Sequence, residues 1–337
     1  MTSPPGQGSP SRPFFRGKFA SLSTLFFLAI GGAFLFFLVV RFDISPRQIW
    51  DSLRDSNPWF FLLAFFLYYT NFVFRGIKWR ILLGNARQHG EPSPSVPHTT
   101  SLMLISGFVN LVTAFRLGDA YRAYLYSSES KTSFSRAVGT LVAERAVEVV
   151  IMFSLLMLAA VLLATHGDET SWIYVALASI LPGVLIVGLL AMRLFRGRIQ
   201  RFVPGPLKAA YDLFHHGALG SYANLPLLVG LAVLGWLAEV GRVFFVAQAL
   251  GVDLSFAWVL FAALANALLT LLPVGGLGIT EVSLASLLSD TLTRSEAGAV
   301  VVLDRVISYL SVIIFGGLLF LVHNAVFRKR ATVSPPG

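Results

Sequence analysis

Leu22 to Val40 is a run of nineteen residues without one charge, and no feature constrains the fold of this chain more. A helix rises 1.5 Å per residue, so roughly 20 apolar residues cross the hydrocarbon core of a bilayer. Similar runs fall near 58–74, 146–164, 172–192, 225–238 and 306–322. Backbone in lipid must satisfy its own hydrogen bonds, which a helix does internally. Composition argues against a soluble alternative: 55% of the 337 residues are apolar and 13% charged, too few charges to cover a globule of this size. The expected fold is all-α, a polytopic membrane protein with about six crossing helices and no separate soluble domain.

The net charge of +9 does not point to nucleic acid, because the basic residues cluster in short stretches at helix ends. With no cysteine there are no disulfides and no thiolate chemistry. The first apolar run is too long for a signal-peptide core and lacks a small-residue cleavage site, so it is expected to remain as a helix.

Lys and Arg content orients the loops. The stretch with Arg75, Lys78, Arg80 and Arg87, the stretch 116–136, and the stretch 193–208 are basic and read as cytoplasmic, with both termini. The loops at 166–171, 249–254 and 290–297 are acidic and read as external; 41–57 joins them by elimination. Thr100 to Phe115 is then flanked by two inside stretches and Ser255 to Leu288 by two outside ones. Neither can be a single crossing, so each is expected to enter the membrane and turn back, the second at Pro273-Val274-Gly275-Gly276-Leu277-Gly278. Irregular backbone at membrane depth is tolerated only where protein or a water-filled cavity surrounds it.

Residues 117–145 and 277–305 align at one constant offset of 160: Leu117-Gly118 on Leu277-Gly278, Ala137 on Ala297, Glu144-Arg145 on Asp304-Arg305. The predicted organisation is a basic, disordered tail (1–20), a first membrane repeat (21–165, hairpin near 100–122), an inverted second repeat (166–325, hairpin near 255–288) and a basic tail (326–337). Inverted repeats place substrate near the midplane at their interface. Between the repeats, Phe195 to Gly217 carries apolar residues at near-helical spacing among basic ones, and reads as an amphipathic segment on the inner surface.

An ionisable group inside an apolar helix costs about 2.5–3.5 kcal/mol, so each one needs a reason. The candidates are Arg116, Asp119 and Arg122 at the first hairpin, Glu144, Arg145 and Glu148 on the next helix, Glu281, Asp304 and Arg305 in the second half, and Glu239 with Arg242. Glu144 and Glu148 share a face and repel, so they want a cation from elsewhere, and Arg116 or Arg122 can supply it. Glu281 and Arg305 stand in the corresponding relation with signs exchanged, while Glu239 and Arg242 can pair locally. Glu144 and Asp304 lie roughly 10 Å inside opposite faces at 1.5 Å per residue, so contact between them is not expected. The arginines can hold a phosphate or carboxylate through paired donors, or simply neutralise the acids and pin the hairpins. Gly275, Gly276 and Gly278 permit a tight turn. No GxSxG elbow, HExxH, P-loop or cysteine cluster is present, so no catalytic residue, cofactor or metal site is predicted.

These motifs resemble a flippase-like integral membrane family that includes the transmembrane domain of lysylphosphatidylglycerol synthases. The first signature is matched by Asn110, Arg116, Leu117-Gly118, Asp119 and Arg122, with Ala114 where proline is usual and Asp119 in place of Glu. The second is matched by Glu144-Arg145 with Glu148, and the third in full by Pro273, Gly275, Gly276, Gly278 and Glu281; Arg305 matches an arginine on the last helix. The resemblance implies a flippase or transporter that moves an anionic phospholipid or polyprenyl-phosphate-linked lipid between the leaflets of the cell membrane. It implies Arg116, Asp119, Arg122, Glu144, Arg145, Glu281 and Arg305 as substrate-binding residues, and Gly118, Pro273, Gly275, Gly276 and Gly278 as turn residues. A partner enzyme of lipid or glycolipid synthesis fits the same picture. The alternatives are an enzyme acting on a lipid-linked substrate, with Asp119, Glu144 or Glu281 as base, and a non-transporting partner of a membrane assembly.

Overall fold

The computed structural model describes residues 56–88, 90–113, 117–164, 204–270 and 279–333, with Arg54, Val187, Gly188 and Leu194 besides. The expected crossing at 22–40, that at 172–192 apart from Val187 and Gly188, the turn Pro273 to Gly278, Arg116, and the N-terminal tail lie outside those residues.

Among the described residues the regular structure is all helical. In chain order the helices are α1 (Pro58–Asn85), α2 (Val96–Val112), α3 (Gly118–Ser130), α4 (Phe134–Ala164), α5 (Lys208–Leu219), α6 (Leu225–Ala249), α7 (Phe256–Thr270), α8 (Ile279–Leu288), α9 (Arg294–Arg305) and α10 (Ser311–Val333). A π-helical turn, Val306–Leu310, joins α9 to α10. Pro58–Asn85, Phe134–Leu163, Leu225–Ala249 and Arg294–Val326 are long and apolar enough to cross a bilayer, and they coincide with four of the six runs read from the sequence. Val96–Val112 and Phe256–Leu268 are apolar but shorter, and they sit where hairpins were expected. The outer surface is apolar, with Trp59, Leu62, Phe66, Leu158, Ile314, Leu318 and Val322 exposed, as suits a surface against lipid. The chain is an integral multi-pass membrane protein.

Two expectations change at helix ends. Arg75 and Lys78, which the charge pattern assigned to a loop, belong to α1, because the helix continues through Trp79, Leu82 and Leu83 on its buried face. At the other end α10 continues to Val333, into the stretch expected to be a basic tail.

Asn57 starts α1 by accepting the Trp59 N–H on its side chain, ahead of Pro58 in the first turn. The Asn57 N–H also donates to the Ala249 carbonyl at 2.9 Å, which fixes α1 antiparallel to α6. Glycines let the neighbours approach: a Cβ on Gly241 would stand 3.0 Å from Leu67, and one on Gly76 would strike Thr100 of α2. Gly316 and Gly317 of α10 pack in the same way on Phe108 of α2.

α5 does not simply lie as a free surface segment. A Cβ on Gly139 would stand 2.3 Å from the Phe214 carbonyl and one on Gly217 2.2 Å from the Arg136 carbonyl, so α4 and α5 meet backbone to backbone. Asn85 and Leu82 of α1 then bind Ser221 just beyond α5.

Two pairs of helix starts stand 160 residues apart, α2 and α7 at 96 and 256 and α4 and α9 at 134 and 294, whereas α1 and α6 begin at 58 and 225.

Candidate functional site

Polar contacts join the end of α2 to the start of α3. α2 ends at Thr113, whose backbone is extended, and α3 begins with no side-chain cap of its own. Asn110 supplies one from the preceding helix: its Oδ1 accepts the Gly118 N–H at 2.8 Å, so one orphan donor of the first turn is satisfied. Gly118 is required by close approach, because a Cβ there would stand 2.0 Å from the Ser106 carbonyl oxygen. Both residues belong to the first motif, and their task is to bring Asp119 and Arg122 to a fixed place.

Four helices converge on that place. Arg122 is fully buried; its guanidinium donates to Glu144 Oε2 at 2.7 Å and pairs with Asp119 at 3.1 Å. It also lies 4.7 Å over the Trp79 ring and touches the Met103 sulfur at 2.9 Å. Glu144, also fully buried, faces Lys78 at 3.8 Å. Lys78 binds Glu148 at 2.6 Å, Arg145 binds Glu148 at 2.7 Å and also Asp119, and Arg75 approaches Glu148 at 3.5 Å. Of the two cations the sequence offered for Glu144, Arg122 is in contact, and Arg116 lies outside the described residues. Four cations (Arg75, Lys78, Arg122, Arg145) thus surround three carboxylates (Asp119, Glu144, Glu148).

A second network lies around α6 and α9. Arg242 binds Glu239 at 2.6 Å, the local pair expected from the sequence, and also Asp304 of α9. Arg305 approaches the Asp304 carboxylate at 3.6 Å and its guanidinium sits 4.8 Å over the Tyr309 ring. Glu281 lies on α8, but its side chain is outside the described atoms, as is all of Pro273, Gly275, Gly276 and Gly278.

α1 joins the two networks, which the sequence reading missed. Tyr68 donates to the Ser308 carbonyl at 3.0 Å and lies under the Arg242 guanidinium at 5.2 Å. Asn71 donates to Glu239 at 3.0 Å, and Arg75 and Lys78 reach Glu148. Tyr68, Asn71, Arg75 and Lys78 stand at i, i+3, i+7 and i+10, one stripe of a helix roughly 15 Å long at 1.5 Å per residue. That spacing was visible in the sequence, but reading Arg75 and Lys78 as loop residues hid it. Glu144 and Asp304 take different partners, Arg122 and Arg242.

The seam is unevenly covered. Side chains of Lys78, Arg122, Glu144, Arg242, Asp304 and Arg305 are 9% exposed or less, while Asp119 and Glu239 are 29%, Arg75 31% and Arg145 34% exposed. A sealed set of ion pairs therefore carries an accessible edge with both signs of charge. Burying unpaired charge is costly, and this pairing is what makes the seam tolerable inside an apolar bundle. Among the described residues no group of three or more metal-ligating side chains is placed to hold an ion.

A family described as "Lysylphosphatidylglycerol synthase TM region" matches residues 24–316. The chain is 34% identical over 223 residues to the UPF0104 membrane protein MJ1078 of Methanocaldococcus jannaschii, covering 64% of this chain and 94% of the relative. It is 25% identical over 295 residues to a UPF0104 membrane protein of Methanothermobacter thermautotrophicus, covering 79% and 86% of the two chains. With the UPF0104 membrane protein PH1989 of Pyrococcus horikoshii it shares 24% identity over 328 residues, 88% and 96% of the two. No solved structure matches the chain.

Proposed function

From the premise that this chain belongs to the family of the lysylphosphatidylglycerol synthase TM region, we propose that it moves an anionic phospholipid or polyprenyl-phosphate-linked lipid between leaflets. The observation that carries the proposal is the ion-paired seam through an otherwise apolar bundle, partly exposed at Asp119, Arg145, Arg75 and Glu239. A head group leaving the interface loses hydration, and fixed donors along its path offset that cost. The lipid tails remain in the hydrocarbon while the head group follows the seam.

In this reading the two halves form an inverted repeat, and α2–α3 and α7–α8 are hairpins that enter from opposite sides. The 160-residue spacing of the α2/α7 and α4/α9 starts supports it, as does the Asn110–Gly118 hydrogen bond between α2 and α3. Both termini are cytoplasmic, and the predicted substrate residues divide the work. Arg122, Glu144 and Arg305 form the buried frame; Asp119 and Arg145 face the path; Arg116 and Glu281 flank the two hairpins.

The enzymatic alternative is less well supported, because Glu144 is fully buried and each acid of the first network faces two or more cations, which favour its charged form and oppose uptake of a proton. The test is reconstitution of the full chain in liposomes that carry a fluorescent phosphatidylglycerol, with quencher added outside. Quenching beyond the outer-leaflet half, with the lipid recovered chemically unchanged, is the expected result. No movement of any anionic lipid, or conversion to a new product, would overturn the proposal.

A further inference from the structure

We propose that Arg75 is the anion-receiving residue of the seam, and that with Arg145 it takes the phosphate of the transported head group. This rests on the transport reading above but names a residue outside the family motifs.

The first network holds one cation more than it has acids, and the contacts show which cation is in excess. Asp119 is shared by Arg122 and Arg145, and Glu144 by Arg122 and Lys78. Glu148 is claimed by Lys78 on Oε1 at 2.6 Å and by Arg145 on Oε2 at 2.7 Å. Arg75 has only the remaining approach, 3.5 Å from an oxygen that Lys78 already occupies. Its side chain donates no hydrogen bond to any described residue, and its buried Nε has only that 3.5 Å ionic contact with Glu148. A guanidinium carries five donors in a rigid fork and cannot shed its proton, so a partly exposed one with a single long contact keeps donors to offer. An anion with several oxygens would accept them.

The position of Arg75 agrees with that task. Arg75 and Arg145 reach opposite oxygens of the same carboxylate, and they are the two most exposed cations of the network, at 31% and 34%. Two guanidiniums converging at an open edge match the oxygens of a phosphate diester better than one does. One helical turn away, Asn71 binds Glu239 of the second network, so Arg75 stands where the two halves of the seam meet. Phosphate bound there would contact the middle of the path rather than either end.

The experiment uses the full chain in lipid nanodiscs, and reads its melting temperature. The parent is measured in phosphatidylcholine alone, in phosphatidylcholine with inorganic phosphate, and in phosphatidylcholine with phosphatidylglycerol. Ligand binding to the folded state raises the melting temperature, so phosphatidylglycerol is expected to raise that of the parent by several degrees. Arg75→Gln should melt in phosphatidylcholine alone close to the parent temperature, since it gives up one 3.5 Å contact from a partly exposed side chain, and should lose the rise. Arg75→Lys, which keeps charge but not the fork, should regain only part of it. An undiminished rise in Arg75→Gln would overturn the assignment while leaving transport intact. Collapse of Arg75→Gln in phosphatidylcholine would overturn it too, by making Arg75 a structural counter-ion. If inorganic phosphate alone reproduced the whole rise, the site would serve a soluble anion and the lipid assignment would fall. A parent with no rise that also moves no phosphatidylglycerol in liposomes would remove the transport reading first.

Discussion

Glu144→Gln probes the buried frame most directly, because the structure fixes what is left behind. Glu144 is fully buried with Arg122 at 2.7 Å and Lys78 at 3.8 Å. Removing one partner of a buried pair costs about 3–5 kcal/mol, mostly from the charge left without its counter-ion. Arg122 keeps Asp119 at 3.1 Å and the Trp79 face, and Lys78 keeps Glu148, so the low end, about 3 kcal/mol, applies here. Arg122→Gln should cost less, because it lowers the positive excess of the network, whereas Glu144→Gln raises it. The double variant should be more stable than the sum of the singles by about 1–3 kcal/mol, the coupling of neighbours in one network. Unfolding of the full chain in mixed micelles, with the fraction folded followed by tryptophan fluorescence, supplies the four free energies of the cycle. Additive losses would refute the reasoning, since two residues that hold each other cannot be removed independently.

Gly118→Ala should prevent α2 and α3 from closing, because its Cβ would stand 2.0 Å from the Ser106 carbonyl, and overpacking of this kind costs at least about 1–3 kcal/mol. Gly84→Ala on α1, with nothing within 4 Å of the added Cβ, should be neutral or stabilising by up to about 1 kcal/mol in the same melting assay. Burial pushes the Glu129 carboxyl up, but hydrogen bonds and charge from His323 and His98 outweigh it and hold the group at about 2, against 4.5 when free. A depressed carboxyl stabilises the fold fully above its free value, so melting of the parent should fall as pH drops from 4.5 towards about 2, and fall less steeply in Glu129→Gln. Because the chain has no native cysteine, single cysteines at Ser127 and Thr291 report topology: an impermeant external reagent should label the second and not the first.

The sequence was most informative where lipid imposes long patterns and least where side chains meet across helices. The runs near 58–74, 146–164, 225–238 and 306–322 each fall in a helix long enough to cross, because the requirement for about 20 apolar residues overrides local propensity. The partner of Glu144 was narrowed to two arginines by the rule that like charges on one face need a cation from elsewhere, and Arg122 fills that role. Asn71 and Tyr68 were not recognised, since a lone Asn or Tyr on an apolar helix carries no periodic signal until Glu239 and Ser308 are placed opposite it. Arg75 and Lys78 were misjudged for a different reason. Counting basic residues to orient loops treats every cluster as solvent-exposed, and Lys78 lies 2% exposed inside the bundle. The glycine contacts at Gly139 and Gly217 were equally silent, because close approach of two backbones leaves no trace in hydropathy.

The π-helical turn Val306–Leu310 sets the angular phase of everything after it. Such a turn holds one residue more than the α-helix would, and a residue is worth about 100° of rotation at 3.6 per turn. Upstream, Asp304 must face Arg242; downstream, Ser311 must meet Tyr69, Gly316 and Gly317 must meet Phe108, and His323 must meet Glu129. The turn acts as the gear between these two sets, so removing any single residue from it would leave a continuous helix with its lower half pointed the wrong way. Length at this point is therefore under tighter control than side-chain identity: a conservative substitution within 306–310 can be absorbed, but a shift of one residue cannot.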